Sequence, residues 1–267
     1  MDYQLVHGRK MKNKLVTVIN KDMINDLRDI KDVEFLYPLK SFCVGYEIEF
    51  SIDEIDGYIL VNRILEDKDL DILEKLLANS KAKGIVFDDL GVIEIVKDLP
   101  MTKILLLDHI ATNYESINYY LEYVDSVVIS NDLTRVEIEE ILKKANKPLV
   151  VNVFGLKTLM YSRRLLLSNY AIYHNLNIER KMDATISSSK YFKIIENDYG
   201  TKFYAGKYFN GLKLLNCSNV LFYWYDLIDL EYDKILSLIK NNKIDDVNSD
   251  ILFLDKPTIY KVGDIND

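Results

Sequence analysis

Several residues of this chain have types and spacings that could do chemistry. His109, one of three histidines with His7 and His174, follows an apolar run, and Asp108 sits beside it. A histidine in that place can carry a proton. Residues following other apolar runs are Asn20, Asn62 with Arg63, Asp88 with Asp89, Asn131 with Asp132, Phe154, and Tyr225 with Asp226. From this set His109, Asp108 and Asp132 are the candidate catalytic groups, and Asn62, Asp89 and Asn131 the candidate substrate contacts. A second cluster is Tyr161-Ser162-Arg163-Arg164, followed by Tyr170, Tyr173, Arg180 and Lys181. Guanidinium groups among aromatic rings suit phosphate contact and base stacking, so Tyr161, Arg163 and Arg164 join the substrate-binding candidates. Each feature also has a plainer structural use. Asp88, Asp89 and Asp132 precede helical patterns and could cap them, and the Arg-Tyr run could be a solvated face.

Other chemistries lack their residues. There is no G-x-S-x-G elbow, H-E-x-x-H pair, Walker loop or G-x-G-x-x-G turn. Ser130 and His109 could be neighbours, but no spacing demands a triad. Cys43 and Cys217 lie far apart and the histidines are scattered, so no metal site is expected. The 34 basic and 42 acidic side chains give a net charge of −8, which excludes a uniformly basic nucleic-acid binder but not a local basic patch. The first twenty residues hold no apolar stretch long enough for a signal peptide, and nothing approaches a membrane span. A cytoplasmic protein without a membrane partner is expected.

The elements that must position these residues follow from periodicity. Apolar, β-branched runs at 15–19, 33–37, 58–61, 85–87, 104–107, 126–129, 149–153 and 219–223 predict strands buried on both faces. Leu70, Leu73, Leu76 and Leu77 mark one face of a helix near 68–79; Ile138, Ile141, Leu142 and Ala145 mark another near 134–145. Thr134 with Glu137 predicts a capping box, and Pro148 prevents that second helix from continuing. Strands alternating with helices make parallel sheets, and eight such strands predict an α/β fold, a (β/α)8 barrel whose ligands gather at the C-terminal strand ends. A long insertion at about 155–218 precedes the last strand. It is expected to open with a helix near Leu156 carrying Arg163 and Arg164, and to contain a hairpin turning at Asp198-Tyr199-Gly200. One domain over 1–267 is expected.

Several segments resemble peptidase family U32, the collagenase-like proteases. Asp89-Leu90-Gly91-Val92 matches the family's D-L-G-V block, and Thr112-Asn113 its T-N pair. The run 129–134 with Glu137-Ile138 resembles L-S-R-E-L-S…E-I. Val153-Phe154-Gly155 with Tyr161-Ser162 and Arg164 resembles V-H-G…Y-S-G-R, and the run 196–201 resembles its E-D…G-T hairpin. The run Ser162-Arg163-Arg164-x-Leu166-x-x-Asn169-Tyr170 is most similar to a short subgroup linked to tRNA uridine 5-hydroxylation. That resemblance implies tRNA and a longer U32 paralogue as partners, and prephenate as a co-substrate. The chain departs from the family at specific places. The family histidine is Phe154, its Arg-Glu is Asn131-Asp132, and its S-T-Q is Leu106-Leu107-Asp108. Cysteines that hold a [4Fe-4S] cluster in the family fall on Thr158 and Leu165, and the later pair has no counterpart between Tyr173 and Ser187, so no cofactor is expected. Three functions follow: a contribution to tRNA hydroxylation, a non-catalytic subunit with a degenerate active site, or a peptidase as the family name implies.

Overall fold

The computed structural model describes residues 13–107, 110–187 and 190–256. Its strands in chain order are β1 (Lys14–Thr17), β2 (Val33–Pro38), β3 (Tyr58–Val61), β4 (Gly84–Phe87), β5 (Thr102–Leu106) and β6 (Ser126–Ile129). There follow β7 (Leu149–Ser162), β8 (Lys181–Ser187), β9 (Lys190–Asn197), β10 (Gly200–Asn210), β11 (Val220–Tyr225) and the short β12 (Ser249–Asp250). Helices are α1 (Asp22–Arg28), α2 (Asp67–Ala78), α3 (Gly91–Val96), α4 (Tyr114–Tyr120), α5 (Arg135–Lys144), α6 (Leu166–Tyr173) and α7 (Tyr232–Asn241). Strands β1 to β7 pair in sequence order and in parallel, and β11 pairs with both β7 and β1, which closes an eight-stranded α/β barrel.

The predicted barrel is therefore the observed one, for the physical reason the runs suggested. Every residue of β1, β3, β4 and β6 is buried, as strands covered by barrel interior on one face and helices on the other must be. Helices α2 and α5 lie where the leucine and isoleucine spacing put them, with Leu73, Leu77, Ile138, Ile141 and Leu142 buried. The Thr134 capping box forms: the Glu137 carboxylate accepts from Thr134 N at 2.8 Å, and Thr134 Oγ1 accepts from Glu137 N at 3.3 Å. Between β2 and β3 there is no α-helix. A loop with a single 3-10 turn, Ile52–Glu54, covers the barrel mouth and buries Phe42, Cys43, Val44, Tyr46 and Phe50.

The opening of the insertion differs from expectation. Residues 156–162 continue β7 rather than forming a helix, and α6 begins only at Leu166. The strand persists because β10 offers it an antiparallel edge, with Gly155 opposite Phe209 and Tyr161 opposite Lys202. That ladder satisfies backbone groups that a helix would have satisfied internally. At Gly155 the strand leaves the barrel so close to β11 that a Cβ would lie 2.8 Å from both Cβ and O of Asp226, so only glycine fits. Arg163 and Arg164 consequently sit in the turn between β7 and α6, not on a helix face. The hairpin predicted at 198–200 is present, β9 pairing with β10 across it. Among the described residues no helix is long and apolar enough to cross a membrane.

Candidate functional site

The C-terminal ends of the barrel strands surround a small cavity of about 40 Å³. Its polar lining is Asn62 after β3, Asn131 after β6, Asn152 and Lys157 on β7, Lys202 on β10 and Asp226 after β11. Leu106, Leu156 and Trp224 supply apolar walls. Tyr46 enters from the β2–β3 loop and Tyr204 from β10. The Trp224 indole N–H is committed to Thr17 Oγ1 at 2.8 Å, which fixes that wall.

Acid and base groups at the mouth are held by identifiable partners. The Tyr46 hydroxyl donates to Asp226, 3.3 Å from each carboxylate oxygen. Burial, then the neighbouring Asp226 charge, pushes the Tyr46 phenol well above its ordinary value, so it stays a donor. Lys157 donates to Asp132 in a partly buried ion pair. Tyr204 donates to Gly45 O at 3.3 Å. Gly45 has φ +91°, and a Cβ there would collide with the Tyr204 hydroxyl, so this close approach of loop and strand requires glycine.

The residues chosen from sequence separate into different uses. Asn62 and Asn131 reach the cavity. The Asn62 amide, however, is matched to the backbone of Val44, accepting from its N at 2.9 Å and donating to its O at 3.2 Å, so it pins the loop over the mouth. Arg63 is likewise structural. It donates to Ser41 O at 2.7 Å, pairs with the partly exposed Asp69, and lies 4.4 Å from the centre of the Tyr199 ring. Asp89 takes the plainer role: its two oxygens accept from Gly91 N at 2.9 Å and Leu65 N at 3.0 Å, organising the start of α3. Asp132 does not cap α5, since Thr134 does; its partner is Lys157. Ser130 is buried, and its hydroxyl accepts from Asp132 N at 3.1 Å. Asp108 and His109 lie outside the described residues, as does His7. Phe154 stacks on Tyr208 at 5.2 Å, and Tyr225 donates to Asn242 at 2.9 Å.

On the rim, Tyr161 donates to Tyr199 O at 3.3 Å, and Arg163 pairs with Glu66 at the surface. Arg164 is exposed and makes no ion pair among the described residues. Tyr170 and Tyr173 project from α6 with 55% and 82% of their surface exposed, each packed edgewise or tilted against His174.

Lys157, Lys202, Asn152 and Tyr46 were not legible as site residues from run ends. Lys157 is masked by the expectation of a helix there. Alternation in Thr201-Lys202-Phe203-Tyr204 puts Lys202 and Tyr204 on one face, which is the signal that could have found them.

The two cysteines occupy opposite ends of the barrel. Cys43 is buried under the loop at the mouth, donating to Leu60 O at 2.9 Å, with its thiol pushed up by burial. Cys217 precedes β11 at the other end, also pushed up by burial. No group of three or more His, Cys, Asp or Glu side chains among the described residues is placed to hold a metal ion.

No curated protein and no solved structure matches the chain. The sequence pattern of Peptidase family U32 matches residues 52–210. That span runs from the loop before β3 to the end of β10 and so takes in the mouth cavity's β3, β5, β6, β7 and β10 contributions together with the rim. Covering more than half of the 267 residues, it makes this chain a member of peptidase family U32.

Proposed function

We propose that this chain contributes to the 5-hydroxylation of uridine in tRNA, alone or beside a longer paralogue, with the barrel mouth as the reacting site and the β7–α6 rim receiving RNA. One observation carries this reading: a polar cavity at the strand ends lies beside a rim that exposes Arg163, Arg164, Tyr170 and Tyr173. Cations beside aromatic faces suit a single-stranded RNA loop, because phosphates meet the guanidinium groups while unstacked bases find rings to stack on. The resemblance of the same rim segment to the tRNA-hydroxylation subgroup agrees with that chemistry.

A hydrolytic reading has less support. A nucleophile needs a base within hydrogen-bond reach. The Cys43 thiol is spent on a backbone carbonyl, and Ser130 on the turn it organises. The family's iron–sulfur cluster does not fit either: Thr158 and Leu165 stand at two ligand positions, and Cys43 and Cys217 are separated by the length of the barrel. That misfit is the reason for including a paralogue.

The rim is tested with the double variant Arg163→Glu, Arg164→Glu. The Arg163–Glu66 pair is about half exposed on both sides, so losing it should leave Tm almost unchanged. Binding of the purified protein to tRNA should weaken at least tenfold, and wild-type affinity should fall steeply with added salt. Equal tRNA affinity for the variant and the wild type would remove the rim from the account.

A further inference from the structure

Lys202 is a buried side chain whose ammonium group has no counter-ion among the described residues. Only 6% of its surface is exposed. Its ammonium group has no hydrogen bond or ion pair among the described residues, and the centre of the Tyr161 ring lies 6.0 Å away. Buried charges are ordinarily paired, because the interior cannot replace the water they lose. The other cations around it are already matched, Lys157 with Asp132 and Arg63 with Asp69. A second group in the same lining is also unmet: Asn152 Oδ1 is buried with no hydrogen-bond partner. A buried acceptor left unpaired is costly in the same way. Both residues line the mouth cavity, Asn152 from the part of β7 that pairs with β11 and Lys202 from β10.

These two unmet groups define a ligand by their chemistry. Lys202 calls for an anionic oxygen, and Asn152 Oδ1 for a donor such as a hydroxyl. Leu106, Leu156 and Trp224 supply an apolar wall for a short carbon skeleton. The cavity is small, about 40 Å³, which favours a compact guest. Asp226 in the same lining is held by Tyr46 and repels a second carboxylate. We infer that the cavity binds a small hydroxy-monocarboxylic acid, its carboxylate on the Lys202 ammonium and its hydroxyl donating to Asn152 Oδ1. This goes beyond the RNA reading and shares only its location, since nothing in it requires the rim.

The test is calorimetric titration of the purified full chain with L-lactate, in the absence of RNA. Lactate should bind saturably and raise Tm, whereas lactamide, the neutral isostere, should bind at least tenfold more weakly. Lys202→Met keeps the stem and removes the charge; it should fold with an unchanged or higher Tm and lose lactate affinity at least tenfold. Asn152→Leu should weaken lactate more than it weakens acetate, which has no hydroxyl to donate. No saturable lactate binding, equal binding of lactate and lactamide, or undiminished binding by Lys202→Met would each overturn the assignment. The lactate–lactamide comparison needs no variant, so it decides the matter even if a variant fails to fold. Because no RNA is present, failure here is separate from failure of the tRNA reading.

Discussion

Single side chains at this mouth divide into those that build it and those left with unmet valences. Asn62 illustrates the first kind. From sequence it stands at a strand end, where a ligand contact is expected, yet both halves of its amide are used by the Val44 backbone. Asn62→Ala should therefore act on stability. It strands a buried N–H and a buried carbonyl, at a cost of about 2 kcal/mol. Denaturant unfolding would register that loss, accompanied by faster hydrogen exchange in residues 41–46. A variant with wild-type stability would return Asn62 to the list of ligand contacts. Lys202 and Asn152 illustrate the second kind: the Lys202 ammonium and Asn152 Oδ1 have no hydrogen-bond partner among the described residues, which is why they point to a guest.

Elements show how far the sequence could be read. The eight barrel strands were visible because each is a short apolar run buried on both faces, a pattern that local composition alone creates. The α5 cap was visible because Thr134 and Glu137 satisfy each other within one turn. The continuation of β7 was not visible. Residues 156–162 are held extended by β10, forty residues and more downstream, and no local signal announces a pairing that distant. The same limit hid the anchor of α6. Its first turn is held by Glu196 of β9, buried at 3% exposure, which accepts from Leu167 N at 2.7 Å, Ser168 N at 3.1 Å and Thr201 Oγ1 at 2.9 Å. A carboxylate supplied from another strand does for this helix what a local cap does for α5. Misplacing the helix misplaced Arg163 and Arg164, and with them the geometry of the rim. The site was thus half legible. Asn131 and Asp226 are in view at strand ends, whereas Lys157 and Lys202 come from the continued β7 and from β10, whose distant pairing only tertiary structure reveals.

At the scale of the whole molecule, the hairpin is clamped to the barrel by ion pairs. Lys181 on β8 bridges Glu47 of the mouth loop, at 2.5 Å, and Asp229 after β11, at 2.6 Å; Lys193 on β9 also pairs with Asp229. Burial pushes the Asp229 carboxyl up, but the hydrogen bonds and charges of Lys181 and Lys193 outweigh it, and the group ends below its ordinary value of 3.8. Burial pulls both lysines down, yet Asp229 leaves each above the ordinary 10.5. A lowered carboxyl contributes stability above its unfolded value and loses it as pH falls through the folded one. Raised lysines contribute below 10.5 and lose their share as pH rises through the folded values. The clamp is therefore complete between about pH 4 and pH 10. Asp229→Asn should flatten the decline of Tm below pH 4 relative to the wild type. Identical acid limbs for the two proteins would mean that these pairs do not hold the hairpin down.

The proposal that this U32 barrel contributes to uridine 5-hydroxylation in tRNA is decided by nucleoside mass spectrometry of total tRNA from a strain lacking the gene. The account predicts loss or marked depletion of 5-hydroxyuridine and its derivatives, restored by the wild-type gene and restored less by the Arg163→Glu, Arg164→Glu variant. A hydroxyuridine content equal to that of the parent strain would contradict it.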